Sequence, residues 1–292
     1  MSPVTDLPHP GSTLLTDAMA IRVGGAGANA ALASVELGLR TRLIGCIGDD
    51  QLGRWMREEL ARSDLAEDLV VVAGETTGLT VVLESATRDR TFLTYLGVNA
   101  RWDAATIPDD AITCENLLLC DYFVAPQLRG AAARRLLQSA RARGARTFFD
   151  TSWDPGGFAA DTRTEVRALL ASVDVFLPND AEACALADRP GDAAQAGRDL
   201  QVVSGGWVVV KLGRRGCLAI GPDGNEIAVP APAAAVADTT GAGDAFNAGL
   251  VHALAGGAGW PEALTSATQF ATQIVSRPSD SRYRSSLSGA ER

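Results

Sequence analysis

The sequence predicts an α/β fold, a three-layer αβα sandwich with a small β-sheet lid, and three observations lead to it. From about residue 112 onward, short strands rich in Val, Leu and Phe alternate with helical stretches, as in a mainly parallel sheet covered on both faces. Two stretches, 12–23 and 77–97, stand outside that alternation and read as antiparallel pieces of a lid. The chain has 292 residues, 47% of them hydrophobic, which suits one large domain over 1–292 with the lid segments inserted.

Each element has its own signal. "STLLTDAMAIRV" (12–23) reads as a strand pair or one bent strand, after a polar, proline-containing start. "GGAGANAALASVELG" places Ala30, Leu32, Ala33 and Leu37 at helical spacing, with Gly38 to end the helix. "TRLIGCIGDD" follows as a buried strand and "GRWMREELARS" as an amphipathic helix. Within 77–97, a polar turn from Thr87 to Arg90 separates two alternating runs, the mark of a hairpin. The later strands are "ENLLLCDYFV", "ARTFFDT", "VDVFLPN", "GWVVVKLG" and "CLAIG", and helices are expected at about 129–143, 162–171, 180–187 and 192–201. "VPAPAAAVAD" (229–238) is a connector.

Composition removes several function classes. A formal net charge of −9 argues against a nucleic-acid or anionic-membrane partner, so any phosphate must be met by local backbone donors and a metal. Five scattered cysteines without a C-x-x-C, and two histidines, argue against zinc and read as the reduced thiols of a cytoplasmic protein. No leader peptide or membrane-spanning run is evident. Arginine is abundant while Lys211 is the one lysine.

Three stretches carry chemistry. In "DTTGAGDAFNAG" (238–249), Gly241, Ala242 and Gly243 precede an apolar helical pattern, so their N–H groups and the helix dipole make an anion site, with Asp244 in the first turn. A base beside an anion cradle fits phosphoryl transfer to an alcohol; a tight turn with a dipole-stabilised aspartate fits the same residues. "FLPNDAEA" (176–183) sets Asn179 at a strand end and Glu182 at a helix start, suited to a capping box or to holding Mg²⁺. "VVVKLGRRG" (208–216) ends a strand with Lys211, Gly213 and Gly216; the lysine either faces a nucleotide phosphate or reaches out to water.

Together these stretches resemble the PfkB/ribokinase family of carbohydrate kinases, and "VGGAGANAALASVELGLRTRLIGCIGDDQLG" (23–53) is similar to that family's N-terminal signature. The resemblance spans about residues 8–278 and implies a ribokinase-like fold and an ATP-dependent kinase acting on a primary hydroxyl of a sugar or sugar-like molecule. It implies Asp244 as the base, the amides of Gly241, Ala242 and Gly243 as the anion hole, and Asn179 and Glu182 as organisers of Mg²⁺–ATP. Lys211, Gly213 and Gly216 fall on the nucleotide strand and turn, while Gly24, Gly25 and Asn29 fall where the sugar binds. Asp238 and Thr240 match a monovalent-cation (K⁺) loop of part of the family. Asp150, ending "FFDTSWDPGG", joins the metal or substrate network or is a turn aspartate. A lid that closes over the site and pairs between subunits implies water exclusion and a homodimer.

The sequence also departs from the family. Members begin with a strand ending in a sugar-binding aspartate, but "LPHPGST" is reached here by Leu7, so the expectation is a chain lacking that strand and ligand, or a coding start upstream of Met1. Ala26 stands where many ribokinases have lysine, and the strand end around Val124 lacks their glutamate, which argues against ribose. "SRPSDSRYR" (276–284) lacks the Gly-Ala usual after the proline. Two rivals remain: an NAD-dependent Rossmann oxidoreductase, from Gly25-x-Gly27-x-x-Ala30 with Asp49 about 20 residues on, and a catalytically impaired sugar- or nucleotide-binding relative.

Overall fold

The computed structural model describes residues 11–13, 15, 16, 19–83, 91–235, 237–278 and 283. Helix α1 (Ala26–Glu36) is built on alanine, the best helix former, and stops where Gly38 takes φ 83° just beyond the cap. Strand β1 (Gly45–Gly48), helix α2 (Gln51–Ala61) and strand β2 (Leu69–Val72) follow, and β1 and β2 pair in parallel. The hairpin expected in 77–97 is present as β3 (Leu79–Leu83) and β4 (Thr91–Tyr95), paired antiparallel from Leu79↔Tyr95 to Leu83↔Thr91. Its turn, Thr87 to Arg90, lies outside the described residues.

The described residues of 12–23 form no strand, contrary to expectation. Leu15, Met19 and Ile21 are exposed there, and no neighbouring edge supplies a ladder. A period-two run becomes a strand only where a second strand takes up its backbone groups.

The main sheet has six strands: β5 (Asn116–Leu119), β6 (Arg146–Phe149), β7 (Val175–Phe176), β8 (Trp207–Lys211), β9 (Cys217–Ile220) and β10 (Glu226–Val229). They lie side by side in chain order; β5 to β8 are parallel, and β9 and β10 return antiparallel. Helices α3 (Ala131–Ala142), α4 (Ala160–Leu170), α5 (Asp180–Ala187) and α6 (Ala193–Ser204) cover one face. Helices α7 (Ala242–Ala255) and α8 (Trp260–Val275) cover the other. The strands show why: Phe149, Phe176, Val208 and Val210 point into the first core, while Phe148, Val175, Leu177 and Val209 point into the second. Both side-chain sets of a strand are apolar because both faces are buried.

Sequence reasoning found the central strands and α1 to α6 but not β2, β10 or α8. Among the described residues no ladder joins β1 or β2 to the six-stranded sheet, and no helix is long and apolar enough to cross a membrane.

A third contact decides the site. Ala33 on α1 packs against Ala245 and Ala248 on α7, with Phe270 of α8 closing the cluster. Small side chains let the helix axes approach closely, and at Gly249 the approach is tightest: a Cβ there would stand 2.9 Å from the Cα of Ala267. Gly249→Val should therefore push α7 off α8 and cost about 1–3 kcal/mol, read as a lower urea midpoint at unchanged slope.

Candidate active site

The carboxyl ends of the parallel strands face a cavity of about 3880 Å³, where ligands of open α/β sheets collect. Its lining includes Gly24, Gly25, Asn29, Asp150, Lys211 and Gly241 to Asp244, so residues from the start of α1, the ends of β6 and β8 and the start of α7 converge on it.

Gly241 is the N-cap of α7, at φ 76°, a left-handed geometry that glycine takes without strain. Gly243 and Asp244 lie in the first turn of α7. The carboxylate of Asp244 accepts a hydrogen bond from Asn29 Nδ2 at 2.8 Å, made possible by the alanine packing of α1 on α7. Burial, reinforced by the charges of Asp150 and Asp121, pushes the Asp244 pKa up to about 8, against the Asn29 hydrogen bond.

Asp150 follows β6 and is buried. Its Oδ2 accepts from Lys211 Nζ at 2.6 Å and from Asn247 Nδ2 at 2.6 Å, and its Oδ1 accepts from Ser152 N at 3.0 Å. Burial alone would raise its pKa; the Lys211 ammonium overrides burial and holds Asp150 below the usual carboxylate range. Lys211 does not reach out to water. Its side chain is 12% exposed, and although burial disfavours its charge, Asp150 and Glu182 raise its pKa. A Cβ on Gly243 would stand 3.3 Å from Lys211 Nζ, so the ammonium lies against the first turn of α7.

Asn179 and Glu182 form the full capping box of α5: Glu182 N donates to Asn179 Oδ1 and Asn179 N donates to Glu182 Oε2, both at 2.8 Å. Asn179 also bridges Lys211 in parallel, which brings the box to the same strand edge. The cap and the cavity are not alternatives here, since both residues also line the cavity. Burial first, then the charge of Asp150, pushes the Glu182 pKa up to about 7.

Gly213 (φ 57°) and Gly216 (φ 92°) belong to the tight turn between β8 and β9. A Cβ at Gly216 would collide with the carbonyl oxygen of Val229, so backbone packing alone explains that glycine. Asp238 accepts from Thr240 N at 2.8 Å and pairs with Arg22 at 3.3 Å. A guanidinium therefore answers the charge of the Asp238 carboxylate.

Two residues escaped sequence reasoning. Asn247, one turn after Asp244, turns inward to hold Asp150. Asp121 was read as interior to a strand over 115–124, but β5 ends at Leu119 and leaves Asp121 at the sheet's carboxyl edge. The dinucleotide reading fails on local geometry: residues 19–23, ahead of Gly25, form no strand from which a Rossmann turn could spring.

A family model described as pfkB family carbohydrate kinase matches residues 3–285. The chain belongs to that family. It is a carbohydrate kinase, a phosphotransferase with an alcohol group as acceptor, which removes the oxidoreductase reading. The chain is 30% identical over 220 residues to an uncharacterized sugar kinase of Archaeoglobus fulgidus, covering 74% of this chain and 84% of that one. It is 26% identical over 268 residues to the 5-dehydro-2-deoxygluconokinase of Geobacillus thermodenitrificans, covering 87% of this chain and 78% of the relative. The Arabidopsis thaliana ribokinase, solved with ribose and ATP, superposes at a TM-score of 0.75 with 24% identity, over 96% of this chain and 92% of that one. The fold is therefore ribokinase-like.

The Asp150–Lys211 pair of this kinase is largely shielded from water. Lys211→Met should cost about 3–5 kcal/mol by leaving Asp150 uncompensated, and adding Asp150→Asn should recover part of that loss. A double-mutant cycle in urea measures the coupling; strictly additive losses would refute it.

Proposed function

We propose that this kinase transfers the terminal phosphoryl group of ATP to a primary hydroxyl of a sugar or sugar-like acceptor. The observation that carries the reading is the juxtaposition at the start of α7: an oriented, half-buried carboxylate, Asp244, directly follows the Gly241–Gly243 amides on the wall of one cavity.

The acceptor hydroxyl gives its proton to Asp244, its oxygen forms a bond to the γ-phosphorus, and the bond from that phosphorus to the β–γ bridging oxygen breaks, releasing ADP. The amides of Gly241, Ala242 and Gly243 hold the phosphoryl oxygens at the positive end of the helix dipole. Lys211, kept charged by Asp150 and set against Gly243, adds a fixed cation to the same place. Gly24, Gly25 and Asn29 wall the acceptor end of the cavity, and Gly213 turns the chain beside the nucleotide.

Asn179 and Glu182 fit a magnesium ion that arrives with the nucleotide. Glu182 is a buried carboxylate whose ionisation burial resists, and a nearby divalent cation would offset that resistance. Among the described residues no group of three Asp, Glu, His or Cys side chains could cage a metal alone, so phosphate and water must complete the shell, as Mg²⁺ favours. Magnesium supplies charge neutralisation to the phosphates; Glu182 and Asn179 position it. The β3–β4 hairpin serves as the lid, and its exposed Phe92, Leu93 and Tyr95 suit pairing with a second copy as a homodimer. An impaired binding relative would have no use for an aspartate held by Asn29 and poised at raised pKa.

Asp244→Ala should lower kcat by about 10²–10⁴-fold while nucleotide affinity by calorimetry is retained; unchanged turnover would overturn the mechanism. Asp244 must be ionised to take a proton, and its pKa stands at about 8, so kcat/KM for the acceptor should rise with pH through that region. The Asn29 hydrogen bond lowers that pKa, so Asn29→Ala should move the rising limb to higher pH. A profile flat from about pH 6 to 9 would count against Asp244 as the base.

A further inference from the structure

Two segments far apart in sequence meet at an ion pair on the cavity wall. Asp238 opens the loop that leads into α7, three residues ahead of Gly241, and its side chain is only 4% exposed. Its Oδ1 accepts Thr240 N at 2.8 Å, an Asx turn that shapes the approach to Gly241. Its Oδ2 accepts Arg22 Nη1 at 3.3 Å. From the α8 side, the amides of Ala237 and Asp238 donate to Val275 O at 2.9 and 3.2 Å. Gly241 caps α7 without a side-chain hydrogen bond, so the aim of the amides that follow depends on what holds the loop before it. Arg22 comes from the acceptor wall, where it stands two residues before Gly24, on the segment that feeds α1. Arg22, Gly24, Gly25, Asp238 and Gly241 all line the cavity. The bond from Asn29 to Asp244 bridges the same two walls, and the Arg22–Asp238 pair is a second bridge between them.

We propose that Arg22 is a positioning residue for phosphoryl transfer: by holding Asp238 it fixes the anion-hole loop, Thr239 to Gly243, relative to the acceptor wall at Gly24 and Gly25. This rests on the kinase reading above and adds a residue to its machinery. A displacement of about 1 Å near a reacting centre can cost about 10²-fold in rate, so a link between the two walls bears on turnover more than on binding. A planar guanidinium suits the task, because its fixed fork loses little freedom for each hydrogen bond it makes. The carboxylate it meets is shielded from water, which strengthens the attraction over that of an exposed pair.

The test uses the whole chain with ATP, Mg²⁺ and the best acceptor among D-ribose, D-fructose, D-glucose, D-gluconate and adenosine, read as ADP release. Arg22→Ala should lower kcat by about 10–10²-fold and leave the KM for ATP and for that acceptor within about threefold. Guanidinium chloride at about 50 mM, far below denaturing concentrations, should raise the kcat of Arg22→Ala at least about fivefold, and equal sodium chloride should not. Arg22→Lys keeps the charge without the fork and should fall between Arg22→Ala and the wild type. A kcat of Arg22→Ala within about twofold of wild type, or a loss that guanidinium leaves untouched, would overturn the proposal. Hydrogen exchange gives a readout that needs no acceptor. In Arg22→Ala the amides of 238–243 should exchange at least about tenfold faster, while α7 beyond Phe246 retains its protection. If no probe elicits ADP release from the wild type, the kinase reading fails by itself, and exchange decides the role of Arg22. Faster exchange confined to that loop upholds Arg22 as its holder, and exchange that is unchanged or faster throughout the chain refutes it.

Discussion

The site is organised around one buried ion pair, Lys211 to Asp150. It joins the carboxyl ends of β6 and β8, and Asn247 ties the same carboxylate oxygen to α7, so three elements from both layers are pinned at a single atom. Neither partner could be buried alone, because an uncompensated ion in the interior is expensive. The only lysine of the chain is therefore placed where its charge is needed twice, once against Asp150 and once against the start of α7. Arginine, the cation this sequence otherwise uses, would bring a wider, planar head to a contact that leaves a Gly243 Cβ only 3.3 Å.

The pair also divides labour between two carboxylates a short distance apart. Asp150 is held below the ordinary range by the ammonium beside it, whereas Asp244, half-buried and facing the charge of Asp150, is pushed up to about 8. Environments that push two acids apart let one act as a fixed anion and the other as a proton acceptor near neutral pH. Asn29 moderates that push, and it reaches Asp244 only because Ala33, Ala245 and Ala248 let α1 and α7 lie close. Helix packing thereby tunes the proton affinity of Asp244.

Most of this was legible in the sequence wherever local chemistry and tertiary placement coincide. Val/Leu/Phe runs such as "VDVFLPN" gave central strands because both faces of those strands are buried, and Gly241 to Asp244 could be placed at a helix start from their own pattern. What escaped depends on long-range partners. Residues 12–23 have strand-like composition but no neighbouring edge, so no ladder forms among those described. Asp121 was hidden by apolar Tyr122 and Phe123 beyond it, which extend the strand signal while packing instead into the first core. The partners of Asp150 and Asp238 lie 61 and 216 residues away, at Lys211 and Arg22, and no local pattern announces either.

The carboxylate at the head of α7 then has a physical reason to sit beside an anion cradle. The helix dipole and the free amides favour negative charge there, and burial together with Asp150 disfavours it on Asp244 itself. The balance leaves a carboxylate that binds a proton readily, next to amides that still want an anion. In the proposed reaction an incoming phosphoryl group would satisfy the amides, and a proton from an alcohol would satisfy the aspartate. Each demand would remove the repulsion that the other otherwise creates, because protonating Asp244 takes a negative charge away from the first turn at the moment the phosphoryl oxygens draw closer to it.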